Sequence, residues 1–221
     1  MRAMILSAGR GQRMRPLTDE CPKALLAVNH KPLIVYHIEA LQRAGIKEIV
    51  INLGHLGQKI KETLGGGEKF GVDIQYSWEN PILETAGGII QALPLLGDKP
   101  FIAVSADIFT DYPFERLPKE PQDLIHLVLT DNPPHHKRGD FALSQGKINE
   151  TDKPLYNFAG IGVYRKELFK DYKPQVLPLY PFYKKAIEDN QISGEYYAGL
   201  WHNIGTPEQL SALNQEFLKA I

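Results

Sequence analysis

The sequence predicts an α/β fold built on a mostly parallel central sheet. Two observations carry this. Strand-like and helix-like segments alternate through the first half of the chain, which is the pattern of parallel strands joined by right-handed crossover helices. The strand segments are also apolar throughout, not alternating, as strands buried on both faces are.

The elements follow in order. Ala3 to Ala8 reads as a short buried strand bounded by Gly9. A loop rich in Gly and Arg comes next. Pro32 sits where a first helical residue would, Leu33, Tyr36, His37, Ala40, Leu41 and Ala44 recur at helical spacing, and Gly45 supplies the stop. Ile46 to Leu53 is a strand, Leu56, Ile60 and Leu64 mark a second helix, and Val72 to Trp78 is a third strand. A helix from Ala86 to Leu96 begins after Thr85, and Phe101 to Ser105 is a fully apolar strand running into Asp107. The second half loses the alternation. It offers strands over Leu124 to Thr130 and Phe158 to Tyr164, and a hairpin of Phe141 to Ser144 with Lys147 to Glu150 across Gln145-Gly146. A helix from Tyr180 to Asn190, a strand around Tyr196 to Ile204 and a helix from Pro207 to Ala220 close the chain. There is no internal repeat, linker or low-complexity segment. The second half is expected to extend the same sheet.

Composition excludes several classes. Lys+Arg 25 against Asp+Glu 26 lacks the basic excess of a nucleic-acid binder, so any anion site must be local. A single cysteine, Cys21, rules out an internal disulfide and fits a reducing cytoplasmic setting. Its neighbours Glu20 and Pro22 do nothing to stabilise a thiolate, so it reads as inert. The N-terminal apolar run is too short for a signal segment, and no stretch approaches the length of a spanning helix, so no membrane partner is expected.

The loop Ala8-Gly9-Arg10-Gly11-Gln12-Arg13-Met14 is the strongest chemical signal. Glycines let backbone N–H groups approach an anion, Arg13 and Arg15 add charge, and Lys23 is within reach. It is not a P-loop, which needs Gly-Lys-[Ser/Thr] at its end, and Met14 stands where a dinucleotide fingerprint needs a third glycine. The longer run Met4 to Thr18, with Pro22-Lys23-Ala24-Leu25, resembles the signature of sugar-1-phosphate nucleotidyltransferases, with Ala24 in place of the usual proline.

The resemblance covers the whole chain. Glu84 to Gly88, Thr110-Asp111-Tyr112, Asp131-Asn132-Pro133, His135-His136, Arg138 to Phe141 and Phe158 to Ile161 look most like the bacterial N-acetylmuramate 1-phosphate uridylyltransferase branch. The family implies a Rossmann-like three-layer nucleotidyltransferase fold with a small substrate-covering lobe. It also implies one domain over 1–221, with a nucleotide-binding half at about 1–110 and a sugar-binding half at about 111–221. The chain lacks the hexapeptide-repeat extension of bifunctional relatives, which leaves a monomer or weak homo-oligomer as the expectation.

The implied reaction is in-line displacement at the α-phosphorus of UTP by a sugar 1-phosphate oxygen, releasing pyrophosphate. The nucleophile is already an anion, so cations and positioning supply the catalysis. Ala8, Gly9, Gly11 and Gln12 are expected to hold the triphosphate, and Arg13 and Lys23 to neutralise it. Asp107 follows an apolar strand, where a hard carboxylate suits Mg²⁺ shared with phosphates; from the residue alone, a helix N-cap or turn role stays open. Glu79, Thr85 and Gly87 match the region around the base, and Ser105 could bind ribose or sugar. Asp140, Glu150, Asn157 and Gly160 fall where the family builds its sugar pocket. His135-His136 has no third ligand spaced to help, and reads as a polar loop; Trp78 and Trp201 read as core. The family commonly places its second metal ligand, an aspartate, in Trp-x-Asp-[Ile/Val]-Gly-Thr. Here Asn203 occupies that position and offers only an amide oxygen.

The phosphate residues do not choose base or sugar. Mannose 1-phosphate with GTP and glucose 1-phosphate with UTP or dTTP stay open, as does a catalytically silent nucleotide-sugar binding protein. A nicotinamide-dependent dehydrogenase is disfavoured by Met14.

Overall fold

The computed structural model describes residues 1–219. Its first half runs β1 (Ala3–Leu6), α1 (Leu17–Glu20), a minimal hairpin of β2 (Ala27–Val28) and β3 (Lys31–Pro32), α2 (Leu33–Arg43), β4 (Glu48–Leu53), α3 (Gly57–Leu64), β5 (Asp73–Trp78), α4 (Glu84–Leu96) and β6 (Phe101–Ser105). The second half adds β7 (Ile108–Thr110), β8 (Ile125–Thr130), β9 (Ala142–Ser144), β10 (Lys147–Asn149), β11 (Asn157–Tyr164), α5 (Tyr180–Glu188), β12 (Ile192–Tyr196), β13 (Trp201–Asn203) and α6 (Pro207–Lys219). Ala220, the expected end of the last helix, lies outside the described residues.

A nine-stranded sheet has the order β5-β4-β1-β6-β11-β8-β12-β10-β9. The strands β5, β4, β1 and β6 are mutually parallel. β11 then runs antiparallel between β6 and β8, and β12 lies parallel to β8. Burial on both faces explains the apolar strands. Ala3 and Ile5 of β1 join one cluster with Ile34, Ile38 and Leu41 of α2, while Met4, between them, joins the opposite cluster with Ala86 and Ile89 of α4. An alternating strand could not serve two helical layers; a fully apolar one does. The Gln145-Gly146 turn has φ of 50° and 77°, the two positive values a tight two-residue hairpin requires.

Three features differ from what the sequence suggests. The strand expected over Tyr196 to Ile204 is two strands: β12 ends at Tyr196 in the main sheet, and β13 pairs with β7 in a separate sheet. Gly194 hides the true start, because it carries no strand-forming side chain. Glycine is needed there, since a Cβ would lie 2.8 Å from the Leu127 carbonyl oxygen. The second correction is β7 itself, which had no periodic signal in its three residues. Third, Trp78 is 46% exposed because it ends the edge strand β5, whereas Trp201 is half-buried and donates its indole N–H to the Ala159 carbonyl at 2.9 Å.

A small lobe forms around β7–β13, β2–β3 and α6. Its own apolar cluster joins Met14, Leu26, Val28, Leu33, Phe109, Ile204 and Leu213. Among the described residues, no helix is long and apolar enough to cross a membrane.

Candidate active site

The carboxyl ends of β1, β4 and β6 open onto a cleft of about 760 Å³, the place where parallel α/β sheets gather ligands. The loop after β1 forms one wall. Gly11 has φ 60° and accepts a hydrogen bond from the Thr18 hydroxyl at 2.8 Å through its carbonyl. Met14, fully buried in the small lobe's cluster, anchors the single helical turn that follows. Gly54 supports the loop from behind, where any Cβ would overlap the Ala8 carbonyl oxygen. Gly9 differs: a Cβ there would meet nothing within 4 Å. No contact within the protein demands glycine at position 9, and the open space beside it belongs to the cleft.

Facing the loop, Lys23 Nζ donates to Asp107 Oδ2 at 2.6 Å across 84 residues of sequence. Two backbone contacts set Asp107. The Ile204 N–H donates to the Asp107 carbonyl at 2.8 Å, and the buried His37 donates from Nε2 to the Ile108 carbonyl at 2.9 Å. Burial depresses the His37 pKa to about 4, so its imidazole is neutral with the proton on Nε2. Asn203 lies opposite Ile108 in the β13–β7 pair and is half-buried. In front of it, Gly205 lines the cleft; a Cβ at Gly205 would stand 3.0 Å from Asn203 Oδ1 and 3.5 Å from Arg13 Nη2. Asn203 itself does not line the cleft; its amide oxygen lies behind Gly205.

Of the expected nucleotide residues, Ala8, Gly9, Gly11, Gln12, Arg13, Lys23, Glu79, Thr85, Ser105 and Asp107 all line this cleft. Gly87 does not. It packs under the segment before α5, where a Cβ would overlap the Gln175 carbonyl oxygen and where its N–H donates to Leu177 at 3.1 Å. Close backbone approach accounts for that glycine. Glu79 is 6% exposed and fully engaged: it accepts Asn52 Nδ2 at 2.7 Å and the Leu83 N–H at 2.9 Å. Arg15 is an exposed partner of Asp19 at 3.1 Å and lies away from the cleft. Arg10 and Asn52 were missed. Arg10 sits inside the signature loop, and Asn52 is the one polar residue in the buried run Ile49–Leu53 of β4, so both had a readable signal.

A second cleft of about 530 Å³ holds Asp140 and Glu150 together, 10 residues apart in sequence but brought to one wall. Asn157 and Gly160 are not in it. Asn157 is buried and donates to the Phe158 carbonyl at 2.8 Å. Gly160, with φ 74°, serves a β-bulge where β11 shifts register against β8, and a Cβ there would come within 3.1 Å of Ser105 Oγ. His136 pairs with Asp140 at 2.9 Å and His135 contacts Gln209 at 3.2 Å, so the two histidines face different partners. Among the described residues, no group of three or more His, Cys, Asp or Glu side chains is arranged to hold a metal. Burial raises the Cys21 thiol pKa, consistent with inertness.

A glycine and arginine loop at the carboxyl edge of a parallel sheet, opposite a lysine–aspartate pair, defines an α/β domain built to handle phosphates. The chain belongs to the nucleotidyl transferase family, whose pattern its residues 2–141 match. It is 45% identical to an N-acetylmuramate alpha-1-phosphate uridylyltransferase of Neisseria meningitidis serogroup B, over 93% of this chain and 94% of that protein. It is 30% identical to the protein of that name from Caulobacter vibrioides, over 99% and 97% of the two chains. A mannose-1-phosphate guanyltransferase of Yarrowia lipolytica is 32% identical over 94% of this chain but only 61% of that longer protein. The fold matches a Bacillus anthracis crystal structure provisionally assigned as a glucose-1-phosphate thymidylyltransferase, with a TM-score of 0.84 over 98% and 94% of the chains at 21% identity.

Proposed function

We propose that this chain transfers the uridylyl group of UTP to N-acetylmuramate 1-phosphate, forming UDP-N-acetylmuramate and pyrophosphate. The carrying observation for the chemistry is the Lys23–Asp107 pair set opposite the Gly9–Arg13 loop in one cleft. The choice of substrates is supported by the 45% identity, along nearly all of both chains, to a relative bearing that activity's name.

In this reading the backbone at Gly9 and Gly11 cradles the triphosphate, Arg13 and Arg10 offset charge on the departing pyrophosphate, and Lys23 sits between the reacting phosphates. The acceptor phosphate is already ionised, so no side chain has to take a proton. Asp107 and Asn203 would supply one carboxylate and one amide oxygen, hard donors that suit Mg²⁺, which would offset phosphate charge. Asp140 and Glu150 in the second cleft contact the sugar. The lining of the two clefts, one mainly from residues before 110 and the other from residues 136 to 183, supports the expected nucleotide and sugar halves of one 1–221 domain. A nucleotide substrate and the lone thiol fit a cytoplasmic enzyme.

The test crosses four nucleoside triphosphates with a panel of sugar 1-phosphates and follows pyrophosphate. UTP with N-acetylmuramate 1-phosphate is expected to be the best pair. GTP with mannose 1-phosphate, or dTTP with glucose 1-phosphate, as the best pair would refute the assignment. Chelation is expected to stop turnover and added Mg²⁺ to restore it.

A further inference from the structure

The first cleft collects its cations, Arg10, Arg13 and Lys23, where phosphates are expected. The second has a different character. Its floor is aromatic, with Tyr183 packed edge-on against both Phe141 and Phe158 at 5.7 Å between ring centres. Each of its acids already has a partner within the protein. Asp140 accepts His136 Nε2 at 2.9 Å and the Phe158 N–H at 2.8 Å, and Glu150 accepts the Tyr180 hydroxyl at 2.6 Å. Arg138 is the exception. It lines the cleft, is exposed, and has no hydrogen-bond or ion-pair partner among the described residues. Tyr180 lines the same cleft.

An unpaired guanidinium beside an apolar floor is a receptor for a carboxylate carried on a small apolar group. The substrate's phosphate is not that anion, because in the function proposed above it meets Lys23, which lines the first cleft. N-acetylmuramate has a second anion: its lactyl ether bears one carboxylate and one methyl group. Resting on the acceptor assigned above, we propose that Arg138 binds the lactyl carboxylate, with the methyl group against the aromatic floor, and thereby selects muramate from other hexosamine phosphates.

The test compares kcat/KM for N-acetylmuramate 1-phosphate with that for the analogue whose lactyl carboxylate is converted to the neutral amide. The wild type is expected to prefer the acid by about 10- to 100-fold, the range for a charge-assisted bidentate contact. Arg138→Ala should bring the ratio to one or below, because Asp140 and Glu150 remain and disfavour an anion. Arg138→Lys should fall between, keeping the charge without the fork. Each ratio is internal to one variant, so a change in the folded fraction cancels. A variant that keeps the wild-type ratio overturns this role for Arg138 while leaving the acceptor assignment standing. A wild type that uses other sugar phosphates and not N-acetylmuramate 1-phosphate overturns both.

Discussion

Asn52 and Glu79 tie the N-terminal loop to α4 through a chain of hydrogen bonds that has a direction. The Ser7 N–H donates to Asn52 Oδ1 at 2.6 Å, Asn52 Nδ2 donates to Glu79 Oε1 at 2.7 Å, and the Leu83 N–H donates to Glu79 Oε2 at 2.9 Å. Both ends are backbone donors, so the two side chains must present an acceptor at each end and a donor–acceptor contact between them. Glu79→Gln breaks this. With its oxygen on Leu83, the new NH₂ faces the Asn52 NH₂; flipping either amide orphans a backbone N–H instead. The loss of one charge-assisted bond in a buried site should cost about 1.5–3 kcal/mol, or roughly 3–12 °C in Tm for a chain of this size. Asn52→Asp alone sets two carboxylates in contact and should cost at least as much. The double variant Asn52→Asp/Glu79→Gln reverses the middle bond: the amide at 79 donates to a carboxylate at 52, and both backbone donors keep acceptors. Urea denaturation of the four proteins should show the pair recovering about 2 kcal/mol or more over the sum of the single losses. A Glu79→Gln protein within about 0.5 kcal/mol of wild type, or a double variant no better than additive, would refute the network as drawn.

Three further outcomes are expected. His37 has a folded pKa near 4, below the ordinary value of 6.5, so the unfolded chain binds more protons between those limits and stability falls as pH drops; about 2 kcal/mol should be lost between pH 7 and pH 5, and a His37→Gln protein with the same pH slope in urea melts would exclude this source. Asn203→Asp should lower the Mg²⁺ concentration for half-maximal turnover by adding a carboxylate beside Asp107, and an unchanged requirement in a Mg²⁺ titration counts against Asn203 as a ligand. Lys23→Ala should reduce kcat by about 10²–10³-fold with the fold intact by circular dichroism, as loss of a charge-stabilising donor does elsewhere; a drop under about tenfold would remove Lys23 from the reacting centre.

Most of the expected residues that line the first cleft were legible because their signals are local. The loop reads from Gly9 to Met14 because backbone approach and turn geometry restrict residue types over a few neighbouring positions. The hairpin at Gln145-Gly146 reads for the same reason, since both residues need positive φ. Where a residue expected in the site lies outside both clefts, the cause is at a distance. Gly87 looked like a surface for a base, yet its lack of a side chain serves the Gln175 backbone, which is far along the chain. Gly160 and Asn157 looked like sugar contacts, yet neither lines the second cleft: Gly160 sits in a bulge between β11 and β8, and Asn157 is buried and bonded to the Phe158 carbonyl.

The sequence by itself determined the layered α/β architecture, the glycine and arginine loop after the first strand, and the identities of Lys23 and Asp107 as the groups to watch. Periodicity and turn chemistry are properties of short stretches of chain, and they survive without the fold. Tertiary structure alone decided that Lys23 meets Asp107 across 84 residues, that Glu79 is tied to Asn52 and Leu83, and that Arg138, without a partner among the described residues, shares a cleft with Phe141, Phe158 and Tyr183. Those outcomes depend on which strands become neighbours, a choice made by the packing of two helical layers on one sheet and not by any local pattern.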